Sequence, residues 1–226
     1  MTTHARDTID PTETLADLAV RLPGASRVFH RHRLDFCCGG RRSLAEACAE
    51  KGLEVEELVE ELAREEGAAA QDDWATRPPG ELAVHIVRRY HEPLRAELPE
   101  LVRMAQKVER VHAGKPGLPA GLAMHLAAVM EALELHMQKE EQVLFPLIRG
   151  GRGAMAGGPV SIMEREHDEH AVALRRTREL TGDLQSPAAA CTTWRALYLR
   201  LAALERDLME HIHLENNVLF PRALGS

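Results

Sequence analysis

A duplicated motif in the second half of the chain constrains the fold more than any other feature of the sequence. The pattern H-x3-E-x2-V-L-F-P runs from His136 to Pro146 and recurs 75 residues later, from His211 to Pro221. At nearly the same displacement, Tyr90-His91-Glu92 recurs as Glu166-His167-Asp168. The second half therefore repeats a pair of segments, with one histidine on the first segment and the H-x3-E motif on the second.

The residues around this repeat have the periodicity of helices. From residue 81 onward, apolar side chains recur every three or four positions, which is the spacing of one helix face. Glycine-rich turns at 114–117, 150–158 and 182–187 divide this region into four segments, and Pro93 and Pro99 predict a kink or an early end in the first. Aromatic residues make up only 4% of the chain, which disfavours a sheet. We predict an all-α fold built on an antiparallel four-helix bundle.

The first 66 residues form a separate pattern of short helices, one of which opens with a capping box made by Ser43 and Glu46. A segment of small residues and paired prolines, Gly67 to Gly80, then marks a linker. We place the boundary near residue 75. This predicts a small helical N-terminal domain at 1–75, followed by the bundle at 76–226.

Charge and hydropathy exclude several classes of protein. The formal net charge of −7 argues against a nucleic-acid binder, which usually has a basic face. No run of about 18 apolar residues is present, so a membrane-spanning helix is not expected. Residues 1–10 lack the basic and apolar regions of a secretory signal, and we therefore expect a cytoplasmic protein. In that compartment the four cysteines should be thiols or metal ligands rather than disulfides.

The repeated histidines and glutamates have the spacing of a metal site. Residues at i and i+4 share one face of a helix. The histidine and glutamate of each H-x3-E motif therefore lie next to each other on the stripe that faces the core, where both can bind metal. A buried charge without a partner costs several kcal/mol, as an order of magnitude, and a cluster of cations removes that cost. The repeat therefore predicts two metal ions. The six predicted ligands are His91, His136, Glu140, His167, His211 and Glu215.

The types of these ligands narrow the choice of metal. Imidazole and carboxylate without thiolate suit iron, manganese or zinc. With both carboxylates bridging and an added oxo or hydroxo bridge, each ion would keep one open position for a small ligand. Glu92, Glu166 and Asp168 flank the histidines and are candidates to bind a ring N–H from outside. His170 stays open as a seventh ligand.

Simpler interpretations remain for each motif taken alone. A single buried histidine is more often a core residue, and a single H-x3-E motif is more often a surface pair. Only the six residues together favour the metal site. The remaining histidines outside the apolar stripes are interpreted as surface or outer residues; they are His85, His112, His125 and His213.

Cys37 and Cys38 are adjacent and are followed by two glycines and two arginines. Neighbouring cysteines form a disulfide only in a strained ring, and a thiol beside basic residues is a candidate for reaction. The alternative is two small buried side chains at a turn. Cys48 and Cys191 lie in or near helical patterns and are interpreted as structural.

Further motifs carry a resemblance to a known family. They are Asp35-Phe-Cys-Cys-Gly-Gly40, Arg89-Tyr-His91, Leu98-Pro-Glu-Leu101, Lys107 to His112, Met163 to Asp168, Ala190-Cys-Thr-Thr-Trp194 and His211 to Ala223. Together with the segment from His136 to Pro146, they resemble the RIC (repair of iron centres) di-iron proteins, the YtfE/ScdA family, over nearly the whole chain.

This resemblance implies a short N-terminal cysteine domain and a hemerythrin-like bundle with a non-haem di-iron centre. It assigns iron to the same six side chains, with Glu140 and Glu215 bridging. The sequence departs from the oxygen-carrying hemerythrins, whose third helix offers two ligand histidines at i and i+4, because Ala171 takes the second position. Fewer ligands should hold iron less firmly, which suits an iron donor.

For function, the resemblance implies repair of iron–sulfur clusters damaged by nitric oxide or peroxide. The favoured mechanism is release of iron from the reduced site to damaged or apo iron–sulfur proteins, with Cys37 and Cys38 assisting through thiol contact or iron transfer. An enzyme that reduces nitric oxide to nitrous oxide at the open di-iron positions stays an alternative. So does a sensor of oxygen or nitric oxide. Pairing of two chains through the N-terminal module is also left open.

Overall fold

The computed structural model describes residues 9–22, 24–65, 74 and 76–225. Within these ranges the regular structure is helical, apart from one isolated bridge between Thr14 and Ser43, and the predicted all-α class is confirmed. The described residues form two compact units, one within Met1–Pro79 and Met209–Ser226 and the other from Gly80 to Leu208. Residue 75 and much of the predicted linker lie outside the described residues.

Four short helices make up the N-terminal part of the first unit: α1 Leu15–Arg21, α2 Ala25–Arg31, α3 Leu44–Lys51 and α4 Val55–Glu65. The predicted capping box is confirmed at the start of α3. There the Ser43 hydroxyl accepts from the Glu46 N–H, and the Glu46 carboxylate accepts from the Ser43 N–H. The apolar side chains of the four helices share one core, against which Met209 also packs.

Further helices follow, four of which are long. They are α5 Pro79–Ile86, α6 Glu92–Val111, α7 Leu122–Lys139, α8 Phe145–Arg149, α9 Gly157–Thr181, α10 Thr192–His213 and α11 Phe220–Leu224, with a short 3-10 turn at Gly153–Met155. None of the described helices combines the length and apolar character needed to cross a membrane.

Side-chain contacts link the four longest helices into a closed ring, and residue numbers run in opposite directions on neighbouring helices. The contacts are Arg95–Glu134 and Glu109–Ala123 between α6 and α7, His125–Thr177 and His136–Glu166 between α7 and α9, Arg178–Glu205 between α9 and α10, and Glu97–Arg200 and His112–Cys191 between the α6 and α10 segments. This arrangement is the predicted antiparallel four-helix bundle.

π-helical turns interrupt three of the helical runs, at Val87–His91, Glu140–Leu144 and Leu214–Leu219. Each turn ends two residues before a proline, namely Pro93, Pro146 or Pro221. A proline lacks the N–H of the α-helical bond and clashes with the carbonyl four residues earlier. In all three cases that carbonyl lies inside the π-helical turn, where the wider i→i+5 spacing accommodates it. The prolines of the repeated motif thus fix where these turns occur.

The turn at Glu140 also shifts the buried face of the helix. A continuous α-helical stripe through His136 and Glu140 would bury Val143 next, but Val143 is 50% exposed. Phe145, five residues after Glu140, is buried instead, because the π-helical turn adds one residue before the face returns to the core. Of the two outcomes predicted for the first bundle helix, a kink or an early end, the early end is excluded, since α6 continues through Pro99.

Candidate metal centre

Glu140 lies between two histidines on different helices. It is fully buried, with Oε2 3.3 Å from His91 Nε2 and Oε1 3.4 Å from His136 Nε2. Neither carboxylate oxygen has a hydrogen-bond partner among the described residues. A buried carboxylate with two orphaned oxygens, each turned toward a different imidazole, has the chemistry of a ligand that bridges two cations.

The charge state of Glu140 fits this role. Burial raises the pKa of its carboxyl group, but His136 and His91 have the opposite and larger effect, and the pKa lies well below the ordinary value. The group is therefore ionised at neutral pH. An ionised carboxylate is the form that binds metal ions.

His136 and His167 face each other across the interior of the bundle. Their Nε2 atoms are 3.2 Å apart, and both side chains are buried. With metal–nitrogen bonds of about 2.1 Å, two imidazole nitrogens on one ion lie roughly 3 Å apart. The observed separation therefore suits two ligands of a common ion. The His170 ring packs edge-on against His136, with centroids 4.9 Å apart, and His170 belongs to neither ligand group described below.

The second copy of the motif supplies His211 near the end of α10 and Glu215 in the following π-helical turn. Both side chains are fully buried, and His211 Nε2 is 3.1 Å from Glu215 Oε1. The two residues are one turn apart on the same face, as the i, i+4 spacing requires.

The six side chains fall into two overlapping groups that share both carboxylates. The groups are His91, Glu140, His211 and Glu215, and His136, Glu140, His167 and Glu215. Within each group the ligand atoms lie within 4.8 Å of one another. The structure thus brings together all six residues named from the sequence. Two sites that share two carboxylates have the donor set of a carboxylate-bridged metal pair, and imidazole with carboxylate suits iron, manganese or zinc.

Three of these six residues lie in π-helical turns. His91 ends the first turn, Glu140 begins the second, and Glu215 lies near the start of the third. π-helical bulges concentrate at functional sites, because the altered register turns a side chain in a direction that a regular helix does not allow. The periodicity of the sequence gave no sign of these turns, although the prolines that follow them were visible.

Two outer carboxylates orient the histidines. Glu141 Oε1 is 2.7 Å from His91 Nδ1, and Glu166 Oε2 is 3.0 Å from His136 Nδ1. Each carboxylate accepts the Nδ1 proton, so that the lone pair of Nε2 is directed to the site. Glu166 was among the residues proposed from the sequence for this role, whereas Glu141 was missed. The sequence did contain a sign of this role, because Glu141 is an acidic residue directly after the predicted ligand Glu140. In the structure Arg95 Nη1 donates to Glu141 Oε1 at 2.8 Å and holds the carboxylate in place.

The vicinal cysteines lie in a tight turn before α3. Cys37 is buried, its Sγ is 3.4 Å from Asp35 Oδ1 and 3.7 Å from Cys38 Sγ, and the three side chains form a further group of closely spaced metal-type ligands. The contact with Cys38, together with burial and the negative charge of Asp35, raises the pKa of Cys37 well above the ordinary value. Cys37 thus fits the alternative of a small buried side chain at a turn. Arg42 pairs with Glu50.

Two asparagines hold this turn against the segment that carries Glu215. Asn216 Nδ2 donates to the Cys37 carbonyl at 3.0 Å, and Asn217 Nδ2 donates to the Phe36 carbonyl at 3.1 Å. Gly40 is required in the turn, because a Cβ atom there would lie 2.4 Å from the Phe36 carbonyl oxygen. The cysteine turn is therefore hydrogen-bonded to the residues that directly follow a predicted metal ligand.

His213 lies in the same contact region. It was interpreted from the sequence as a surface or outer residue, and the surface position is wrong because the side chain is buried. Its ring is 2% exposed and packs on Phe36 with centroids 5.4 Å apart. Burial lowers the pKa of His213 to about 4, so the ring is neutral at neutral pH. Its Nδ1 accepts from Asn217 Nδ2 at 2.8 Å.

Comparisons with known proteins agree with this architecture. Residues 82–223 match the hemerythrin HHE cation-binding domain, and residues 11–66 match ScdA_N, a domain of unknown function. The chain is 48% identical over 222 residues to the iron–sulfur cluster repair protein YtfE of Dickeya chrysanthemi, covering 98% of both chains. It is 48% identical to that of Citrobacter koseri and 49% to that of an Escherichia coli strain, each alignment covering 94% of this chain and 97% of the relative.

The match to the hemerythrin domain covers more than half of the chain and contains all six clustered side chains. The identity to the relatives extends over nearly the full length of both partners. The chain belongs to the family of the YtfE iron–sulfur cluster repair proteins.

Proposed function

We propose that the chain repairs iron–sulfur clusters by supplying iron to damaged or apo clusters in the cytoplasm. In this proposal two iron ions are held by His91 and His211 on one side and by His136 and His167 on the other, with Glu140 and Glu215 shared and an oxo or hydroxo bridge between the ions. The division near residue 75, between a cysteine module and a metal-binding bundle, is part of the proposal. The relatives are named as iron–sulfur cluster repair proteins.

The observation that carries the proposal is the pair of ligand groups sharing two buried carboxylates. Each group offers four protein ligands, so an ion of six-coordinate preference keeps positions for a bridging group and for an incoming ligand. α9 contributes only His167 to these groups. A site with open positions and few protein ligands favours release of iron over permanent retention.

Cys37 and Cys38 receive the iron in transit in this proposal. Asp35 and the two sulfur atoms form a second cluster of possible ligands. Asn216, which directly follows Glu215 in the chain, donates a hydrogen bond to the backbone carbonyl of Cys37 in that cluster. Each thiol would lose its proton on binding ferrous iron, as thiolate ligands do. Burial and the raised pKa keep Cys37 protonated until a metal ion arrives.

Iron transfer from the reduced protein tests the proposal. The anaerobic protein is loaded with ⁵⁷Fe(II), mixed with an apo-ferredoxin, and separated from it, and the iron on each partner is measured over time. The C37S/C38S variant should retain its iron content but transfer iron more slowly than wild type. C48S is the matched control, because Cys48 is a fully buried thiol of the same unit, outside the Asp35 group, and it should transfer at the wild-type rate.

A parallel experiment offers nitric oxide instead of the apo-protein. Stoichiometric movement of iron to the acceptor supports the donor function. Repeated production of nitrous oxide with all iron retained would contradict the donor function and support an enzyme that reduces nitric oxide. Equal transfer rates for C37S/C38S and wild type would remove the cysteines from the mechanism while leaving the metal centre in place.

A further inference from the structure

A second cysteine–histidine contact lies far from the candidate metal centre. Cys191 Sγ is 3.1 Å from His112 Nε2, and the His112 ring packs on Trp194 with centroids 5.1 Å apart. His112 directly follows the 20-residue helix α6, whereas His91 directly precedes it. At about 1.5 Å per residue, the helix separates the two histidines by roughly 30 Å. The contact therefore has no part in holding the metal ions.

The buried imidazole is arranged to donate to the sulfur. His112 is 5% exposed, and its Nδ1 has no hydrogen-bond partner among the described residues. A buried N–H without an acceptor is rare and costly, whereas an unused lone pair is better tolerated. The tautomer with its proton on Nε2 avoids an orphaned donor. In this tautomer the Nε2–H group donates to Cys191 Sγ and orients the sulfur.

Cys191 also lies at the N-terminal end of α10. Cys191 directly precedes this 22-residue helix, and its carbonyl accepts from the Arg195 N–H at 3.0 Å. The free N–H groups of a helix N-terminus favour a nearby anion. The Arg195 guanidinium also turns back to this end of the helix, where it donates to the Ala188 carbonyl at 3.3 Å. Helix N-termini and basic neighbours are the surroundings in which cysteines react as thiolates.

We propose that Cys191 is a reactive cysteine and a site of oxidation by hydroperoxides, with His112 as its positioning residue. The Cys191 sulfur donates an electron pair to one oxygen of the hydroperoxide, and the O–O bond breaks. The products are a cysteine sulfenic acid and water (an alcohol from an organic peroxide), because the leaving hydroxide or alkoxide takes up the proton that the Cys191 thiol loses. The hydroperoxide is the oxidant, and the two electrons it receives come from the sulfur. This site is independent of the proposed iron donation.

The accessibility of the four cysteines fits the proposal. Cys191 is half-buried, whereas Cys48 is fully buried in the apolar core of the first unit. Burial raises the pKa of Cys48, which keeps it a thiol. The interpretation of Cys191 as a structural residue, drawn from its place in the sequence, did not include His112, 79 residues earlier in the chain.

Site-resolved labelling tests this proposal on the full-length protein. Brief treatment with iodoacetamide at neutral pH is followed by trypsin digestion and mass spectrometry. The cysteines separate into the peptides 34–41, 43–51 and 179–195. We expect Cys191 to be alkylated at least about tenfold faster than Cys48 in the native protein. With hydrogen peroxide, dimedone should trap a sulfenic acid in peptide 179–195.

Two variants separate the role of His112 from simple packing. H112F keeps an aromatic ring against Trp194 but removes the donor, and it should slow alkylation of Cys191 about tenfold. H112Q restores an N–H donor at a similar position and should recover part of the rate. Circular dichroism and thermal melting confirm that each variant is folded, and the wild-type comparison with Cys48 holds even if H112F unfolds. Equal rates for Cys191 and Cys48, or for H112F and wild type, would overturn the proposal.

Discussion

Glu166 touches the candidate metal centre only through a histidine, which makes it a sharp probe of the site. Its Oε2 atom accepts from His136 Nδ1 at 3.0 Å, and its other oxygen contacts Lys139. Substitution Glu166→Gln keeps the shape of the side chain and an oxygen that accepts the Nδ1 proton. It removes the negative charge that makes the imidazole a stronger ligand. We therefore expect weaker metal binding without loss of any ligand.

Loss of an outer carboxylate typically reduces metal affinity by about 10- to 100-fold, which corresponds to roughly 1.4–2.7 kcal/mol. Glu166 is only 16% exposed, so water screens its contact with His136 weakly. The upper half of that range is therefore expected. Anaerobic titration of the apo-protein with Fe(II) against a chelator of known affinity measures the change.

Glu164→Gln is the matched control. Glu164 lies on the same helix, two residues earlier, and is exposed, so the substitution removes the same charge without touching a ligand. Its metal affinity should remain within about twofold of wild type, because an exposed charge acts weakly at a distance. If Glu166→Gln and Glu164→Gln have the same affinity, Glu166 does not support His136 and the description of the outer shell is wrong.

Three further changes have expected outcomes. Glu140→Gln should abolish binding of the metal pair and also lower the stability of the metal-free protein, because the histidines that hold the pKa of the carboxyl group below its ordinary value lose their charged partner; an unchanged apo melting temperature at neutral pH would contradict this. Gly40→Ala should destabilise the protein by about 1–3 kcal/mol in urea unfolding, since the added Cβ meets the Phe36 carbonyl, whereas Gly158→Ala, with open space around it, should be neutral or stabilising. Burial lowers the pKa of His125, so the unfolded chain takes up a proton that the folded chain resists; stability should fall as pH drops below about 6.5, and His125→Gln should flatten that fall in pH-dependent melting curves.

The repeat in the sequence was enough to name the residues that the fold gathers. A helix face has a fixed spacing, so the two H-x3-E motifs and the phase-matched His91 and His167 had to point inward together if the segments packed as a bundle. The fold class followed from the same periodicity. These predictions rest on local geometry, which a single sequence contains.

The features that were missed depend on long-range or irregular geometry. The π-helical turns break the α-helical period on which the prediction relied, so a regular stripe would have buried the exposed Val143, and Glu141 received no role. His112 and Cys191 meet only because α6 and the start of α10 are neighbours in the folded bundle. The burial of Cys37 depends on a turn whose partners, Asn216 and Asn217, lie about 180 residues further along the chain.

The metal content of the anaerobically reconstituted protein tests the central claim most directly. After loading with ⁵⁷Fe(II) and removal of excess metal, iron is counted by mass spectrometry and its coupling is examined by Mössbauer spectroscopy. The account predicts two coupled iron ions per chain, in wild type and in C37S/C38S alike. One iron per chain, two uncoupled ions, or loss of an ion with the cysteines would contradict a pair of ions shared between Glu140 and Glu215.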